Sequence, residues 1–208
     1  MIRVATEADL DAVAETLARA FEPDPVWGLA FADPEAEPGD PDELGRKLER
    51  MRAVCGYIAR AAMPLEWVWL NRDAAAVALW IPPGQPEMSP EDERRFPPFV
   101  EAACGPRIAP RALAFFARFE QAHPAAPPHY YLSLLGTHPD HAGQGLGMGL
   151  VAANLERIDA VGEMAFLESS NPVNVRRYER LGFRPDAEVA LAAGGPVATQ
   201  MWRSPRPS

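Results

Sequence analysis

The chain has 208 residues, 48% of them apolar and 24% charged, with 15 glycines and 23 prolines, and 20 Lys+Arg stand against 29 Asp+Glu for a net charge of −9. An acidic chain has no basic footprint with which to neutralise phosphates, which sets aside general binding to nucleic acid or to an anionic membrane. The apolar share is that of a folded globular protein, and at about 150 residues per domain the length suggests one generous domain or two cramped ones, with a real core in either case.

The chain starts on a short strand near Ile2 to Val4. Thr6, with Asp9 three residues on, reads as a helix start, and Leu10, Val13, Leu17 and Phe21 follow at helical spacing. Residues 22–40, rich in Pro and Asp and holding Trp27 and Phe31, read as loop. A second helix is predicted from Asp40-Pro41 to about Met63, with Leu44, Leu48, Met51, Cys55 and Ile58 on one stripe. Residues 65–70 and 76–81, parted by Asn71-Arg72-Asp73, read as a β-hairpin. Residues 82–128 hold 11 of the 23 prolines. Helix starts at Ser89-Pro90 and at Pro110 mark this stretch as a structured insertion that covers something.

The last third is richer in signals. Tyr130 to Gly136 reads as a strand, His138 to Gly149 as a Gly-rich loop, and Val151, Leu155 and Ile158 as the continuing helix. A strand over Met164 to Leu167 follows. Asn171-Pro172 then opens a helix that Gly182 closes. Glu188 to Trp202, broken at Gly194-Gly195-Pro196, reads as a final hairpin. No apolar run reaches about 18 residues, and Met1-Ile2-Arg3-Val4 shows no signal-peptide pattern, so a cytoplasmic location is expected. Cys55 and Cys104 lack paired spacing and read as buried thiols, not a disulfide.

Gly143-Gln144-Gly145-Leu146-Gly147-Met148-Gly149 puts glycines where a strand hands over to a helix. There, backbone N–H groups can converge on an anion beside the positive end of the helix dipole. The other use of such a run is a tight turn required only for packing. The nucleotide loop ending in Gly-Lys-Ser/Thr is excluded, since Lys47 is the only lysine. The dinucleotide fingerprint is matched by Gly147, Gly149 and Ala152, with Glu168 near the ribose-binding position. Against it, six residues (Thr137 to Ala142) separate strand from Gly143, and only 40 residues follow Glu168.

A third pattern combines Gln144-x-x-Gly147-x-Gly149 with Asn174-x-x-x-Tyr178 and Leu181-Gly182-Phe183. In these residues the chain resembles the GNAT superfamily of N-acetyltransferases. The likeness is nearest to puromycin-type members, through His138-Pro139-Asp140-His141, residues 165–170, Asn174-Val175 and residues 178–183. It is clear over residues 130–202 and looser over 67–80. The resemblance implies an α/β fold whose mixed, mostly antiparallel sheet is splayed by acetyl-CoA, the co-substrate. It further implies that backbone amides of Gly143, Gln144, Gly145, Leu146, Gly147, Met148 and Gly149 hold the pyrophosphate, and that Leu135, Gly136 and Thr137 pair with the pantetheine arm.

Asn174, Tyr178 and Leu181 fall at i, i+4, i+7 on one helix face. By resemblance Tyr178 is the general acid for the leaving thiolate, which a phenol of pKa about 10 suits, and Asn174 bonds the pantetheine. Glu168 and then His129 are the candidates for the base that takes the amine proton, a role that ordered water also fills. His138-x-x-His141 with Asp140 falls short of a metal-ligand set, so no metal is expected. Trp27, Phe31, Trp67, Trp69 and Trp80 either wall an acceptor pocket or belong to the core, and Arg176-Arg177 either reach a CoA phosphate or face solvent.

The reading is therefore one domain over residues 1–208, with an acceptor side (1–81), an insertion (82–128) and an acetyl-CoA-binding, catalytic part (129–208). Its acceptor is expected to be a small-molecule amine, with no nucleic acid or membrane partner, and the chain a monomer or homodimer. Rival readings are acetylation of a protein N-terminus or lysine, a CoA-binding regulator without turnover, and a dinucleotide-binding protein. Residues 1–128 carry 13 basic against 21 acidic side chains and residues 129–208 carry 7 against 8. Nearly all the acidity lies on the acceptor side, which favours a cationic acceptor and an anionic donor.

Overall fold

In the computed structural model, residues 1–37, 39–190 and 195–206 are described. A strand covered on both faces is apolar at every position, and all six residues of β3 (Ala76–Ile81) are buried. Val77, Leu79 and Ile81 join one core cluster while Ala76, Ala78 and Trp80 join the other, the two-residue period of a strand.

Around β3 the sheet comprises β1 (Ile2–Val4), β2 (Val68–Asn71), β4 (His129–Thr137), β5 (Met164–Ser169), β6 (Arg184–Ala190) and β7 (Val197–Arg203). The order is β1-β2-β3-β4-β5-β7-β6, and β4 with β5 is the parallel pair in an otherwise antiparallel sheet. One face packs α1 (Leu10–Phe21), α2 (Trp27–Phe31), α3 (Pro41–Ala62) and α4 (Pro90–Ala122); α5 (Leu146–Ala160) and α6 (Pro172–Arg180) lie on the other.

Local signals place the helix starts. Asp40, Ser89 and Asn171 each accept an N–H of the first turn, from Asp42 at 2.9 Å, Asp92 at 3.1 Å and Val173 at 3.1 Å, and a proline follows each cap. Gly182, at φ 98, ends the turn after α6.

Five boundaries differ from the sequence reading: the first strand of the early hairpin is Val68–Asn71 and not 65–70, because Met63–Leu65 forms a 3-10 turn that ends on left-handed Glu66, and four others follow. The stretch 22–40 contains α2, because Asp24 Oδ1 accepts the N–H groups of Val26 (2.9 Å) and Trp27 (3.0 Å), and Trp27 stacks on Phe21 at 4.4 Å. Burial of those rings overrides the loop-like composition. The insertion is one helical run interrupted at Gly105 (φ 72), so its second half starts at Pro106 and not at Pro110. The Gly-rich segment is partly helical: a 3-10 turn spans Pro139–His141, and α5 begins at Leu146. The last hairpin starts at Arg184, ahead of Glu188; Gly194 of its Gly194-Gly195-Pro196 break lies outside the described residues, whereas Gly195 and Pro196 lead into β7.

The sheet opens at its centre. Strands β4 and β5 pair from His129↔Met164 to Leu132↔Leu167 and no further, although β4 runs on to Thr137 and β5 to Ser169. Leu79 pairs with Leu134 but Trp80 with Leu132, so Ser133 is an extra residue, a β-bulge, where the strands part. The bulge resets the alternation of side chains: Tyr131 and Leu134 share one face, Leu132 and Leu135 the other.

Candidate active site

Beyond the bulge, β4 is hydrogen-bonded on one side only. The His138 N–H reaches back to Ala75 O at 2.9 Å. Antiparallel alternation therefore turns the backbone groups of Leu135 and Thr137 away from β3 and into the opening, with no strand to receive them. An extended polar chain lying in that opening would satisfy them.

Next to this opening, Gly143 (φ 77) and Gly145 (φ 72) take the left-handed conformation that lets the chain turn into α5. Gly147 answers a close approach: a Cβ there would stand 2.6 Å from Thr137 Oγ1. Gly149 is different, since a Cβ there would meet nothing within 4 Å. Packing alone thus accounts for Gly147 but not for Gly149, whose bare backbone leaves room for a bulky anion. The Gly149 N–H is bonded to Gly145 O at 2.9 Å, so its amide is already used. The unpaired helix-start donors are those of Leu146, Gly147 and Met148. These donors, the open space and the one-sided strand fit a pyrophosphate with an amide-bearing arm.

A cavity of about 1020 Å³ extends from Leu135 and Asn174 to the insertion. Tyr178 enters from α6, with its ring edge-on to Phe183 at 5.9 Å. Burial first, and the Asp24 carboxylate second, push its phenol well above the usual value of 10, so it stays protonated across physiological pH. Asp24 is itself buried, and its Oδ2 accepts the Ser170 hydroxyl at 2.7 Å. Asn174 lines the same wall and accepts from Arg177 Nη1 at 3.0 Å; Arg176 and Arg177 are exposed.

Glu168 lies on β5 at the edge of the opening. Its Oε1 accepts from Gln200 Nε2 at 3.4 Å, and the Tyr131 phenol is the carboxyl's other hydrogen-bonding neighbour. Burial raises this carboxyl to about 7. His129 also lines the cavity, but both its nitrogens are engaged. Pro127 O, which can only accept, takes the Nδ1–H at 2.7 Å, leaving Nε2 as acceptor for His123 Nε2–H at 3.2 Å. Burial lowers His123 to about 4, so that ring is neutral at working pH.

Of the aromatic candidates only Trp27 lines the cavity. Phe31 is fully buried behind it at 6.1 Å, and Trp80 is a core residue whose Nε1–H is held by Asn154 Oδ1 at 3.1 Å. Trp67 packs on Tyr130, and Trp69 lies under the Arg157 guanidinium, both in the cluster on the other face of the sheet. The wall is made instead by Phe96, Phe115, Phe116 and Phe119 of α4. Sequence reasoning passed over Asp24, Glu87 and Ser133; only the helical spacing of Leu113, Phe116 and Phe119 after Pro110 carried a readable signal. The rings of His138 and His141 stand 6.2 Å apart, and among the described residues no group of three or more His, Cys, Asp or Glu could hold a metal. No helix among them is long and apolar enough to cross a membrane.

A sheet opened beside a bulge, a glycine turn into a helix and a buried tyrosine facing the gap define a site for acyl transfer from a thioester. The model of the acetyltransferase (GNAT) family matches residues 68–183, and the chain belongs to that family of acetyl-CoA-dependent enzymes. This overturns the dinucleotide reading, whose glycine fingerprint is met here by an acetyltransferase loop, and the reading as a regulator without turnover. Among solved structures the chain is similar to a Corynebacterium glutamicum protein described as histone acetyltransferase HPA2 and related acetyltransferase (22% identity, TM-score 0.64, covering 100% of this chain and 97% of that one). It is also similar to arylalkylamine N-acetyltransferase 2 from Aedes aegypti (14%, 0.61, 99% of each chain). A third is Drosophila melanogaster polyamine N-acetyltransferase (15%, 0.58, 97% of each). These likenesses share the fold and span several acceptor classes, with no puromycin-type enzyme singled out.

Proposed function

We propose that the protein is an N-acetyltransferase for small-molecule amines, working as one domain in the cytoplasm as a monomer or homodimer. The observation that carries this reading is the cavity. It joins the opening between β4 and β5 to a chamber walled by α4 aromatics and roofed by the Pro-rich segment around Pro86 and Pro124. A pocket of about 1020 Å³ walled by these rings has room for a small amine beside the thioester arm, whereas a protein lysine or N-terminus needs a long open groove. An antibiotic-like amine, to which the sequence likeness points, belongs to the same class.

In this reading Leu135 and Thr137 align the pantetheine arm, Asn174 bonds it, and the amides of Leu146 to Met148 hold the pyrophosphate. Glu168, which lines the cavity, takes a proton from the incoming ammonium, directly or through water. The neutral amine then attacks the thioester carbonyl, whose developing charge is met by a free amide of β4 at the bulge. Tyr178 gives its proton to the departing sulfur. Bond by bond, a C–N bond forms and the C–S bond breaks; the second nitrogen proton leaves the tetrahedral intermediate through water and restores Tyr178, so the products are an amide, a free thiol and the proton held by Glu168. Glu168 is preferred over His129 because a carboxylate bonded to Gln200 and Tyr131 keeps spare acceptor capacity, whereas the His129 lone pair is already held by His123.

Thiol release on mixing acetyl-CoA with a panel of small amines and peptide amines tests this. Release with small amines alone is expected. Turnover confined to peptides would overturn it.

A further inference from the structure

A carboxylate that must carry charge in a partly buried place needs a cation or hydrogen-bond donors beside it. Glu168 has no cation on the chamber wall: alongside it the cavity holds Asp24, Glu87, Glu93 and Glu120 and, among its described lining residues, no lysine or arginine. Its neighbours are neutral donors, the Tyr131 phenol of β4 and the Gln200 amide of β7, while Glu87, bonded to Ser133 from the segment between β3 and α4, adds a like charge. The ionised form of Glu168 therefore depends on those two donors.

Gln200 is the better defined of the two. It lies directly opposite Glu168 across the β5–β7 ladder, so the two side chains stand on one face of the sheet. It is buried, and its Nε2 donates to Ala122 O at 2.8 Å as well as to Glu168 Oε1 at 3.4 Å. A carbonyl oxygen can only accept, so the contact with Ala122 fixes which end of the amide is the NH2 group. One hydrogen of that group is taken by Ala122 and the other is left for Glu168. Ala122 is the last residue of α4, where a helix carbonyl has no partner within its own helix. The same end of α4 is tied to the β6–β7 hairpin a second time, by Arg118 Nε donating to Ala190 O at 3.0 Å, so Gln200 hangs from a fixed anchor.

We propose that Gln200 is a positioning residue for the reaction: held by the end of α4, its amide aims one N–H at the Glu168 carboxylate and keeps it in place as the proton acceptor. This inference rests on the reading of Glu168 as the base. Gln200 is not among the residues that line the cavity, so it acts through Glu168 and not on the substrate. Without its amide, Tyr131 is the donor that remains, and the neutral form of Glu168 gains at the expense of the ionised one.

The test follows the Glu168 carboxyl carbon by 13C NMR in protein labelled at the glutamate δ-carbons, its resonance assigned by its loss in Glu168→Gln. Gln200→Met keeps the length of the side chain and removes the donor. The midpoint of the Glu168 titration is expected to rise by about half to one pH unit. The acid limb of kcat/KM, read by thiol release with the small amines that support turnover, is expected to rise with it. Activity then falls about three- to tenfold near pH 6 and little near pH 9, whereas a merely structural defect lowers both alike. A midpoint that Gln200→Met leaves in place overturns the proposal while the acetyltransferase reading stands. A midpoint that moves while the kinetic limb does not removes Glu168 as the base, and the role of Gln200 with it. Should Gln200→Met not fold, Gln200→Leu replaces it with the same criterion.

Discussion

In the proposed mechanism Glu168, partly buried at the edge of the opening, gains and loses a proton in each turnover. Its raised value, about 7, means that the ionised, proton-accepting form grows in as pH rises through neutrality. The profile of kcat/KM is expected to fall on the acid side with an apparent pKa near 7, and Glu168→Gln to lose that limb along with most of the rate. The same shift has a cost in stability. The folded chain holds the proton more tightly than the unfolded one, so the contribution present below the ordinary carboxyl pKa is lost as pH rises through about 7. Glu168→Gln is therefore expected to raise Tm at about pH 8 by a few degrees, about 1–2 kcal/mol after allowance for solvent screening, and to leave it little changed near pH 5. In the proposed mechanism Tyr178 works from the other direction, its phenol holding a proton for the departing sulfur. Tyr178→Phe should lower kcat about a hundredfold or more, with protection by acetyl-CoA against thermal unfolding retained. Unchanged turnover at neutral and alkaline pH would exclude the general-acid role.

At the level of elements, the helix-start residues of α3, α4 and α6 were readable because caps and prolines act over three or four residues. Gly105-Pro106 carried a readable break signal as well, but the more regular aromatic spacing after Pro110 obscured it. The parting of β4 from β5 was not legible, because it depends on where two strands 35 residues apart stop pairing, from Leu132↔Leu167 onward. The extra residue at Ser133 was hidden for the same reason, since a bulge exists only relative to its partner strand. The contact of Gly147 with Thr137 offers a test of how α5 is seated. Gly147→Ala puts a methyl within 2.6 Å of Thr137 Oγ1, and is expected to cost about 1–3 kcal/mol and to weaken acetyl-CoA binding. Thr137→Ala removes the clashing atom, so the double variant should recover much of the stability. Additive losses would place the strain elsewhere.

Across the whole molecule, the sheet separates two cores, one under α1 to α4 and the other under α5 and α6. Asp24 bridges them at the site, capping α2 with one oxygen and holding Ser170, just before α6, with the other. Asp24→Ala strips one part-buried hydroxyl and two buried backbone amides of their partner. A loss of about 2–3 kcal/mol in denaturant unfolding is expected, together with a lower kcat as α6 and Tyr178 lose their tether to the acceptor side. Neither Asp24 nor Glu87 could be singled out from the sequence among 29 acidic residues. The uneven division of charge between the two parts of the chain was visible, and the cavity gives it a location.

The one-sided strand beyond Ser133 also ties the energetics of the protein to its surroundings. A sheet whose central ladder is finished by a small molecule has a folding free energy that varies with the concentration of that molecule. At a hundredfold excess over Kd the gain is about 2.7 kcal/mol, a sizeable part of the stability of an ordinary domain. Lifetime against proteases should then follow the supply of acetyl-CoA, so that the enzyme persists when its donor is plentiful and is cleared sooner when the donor is scarce.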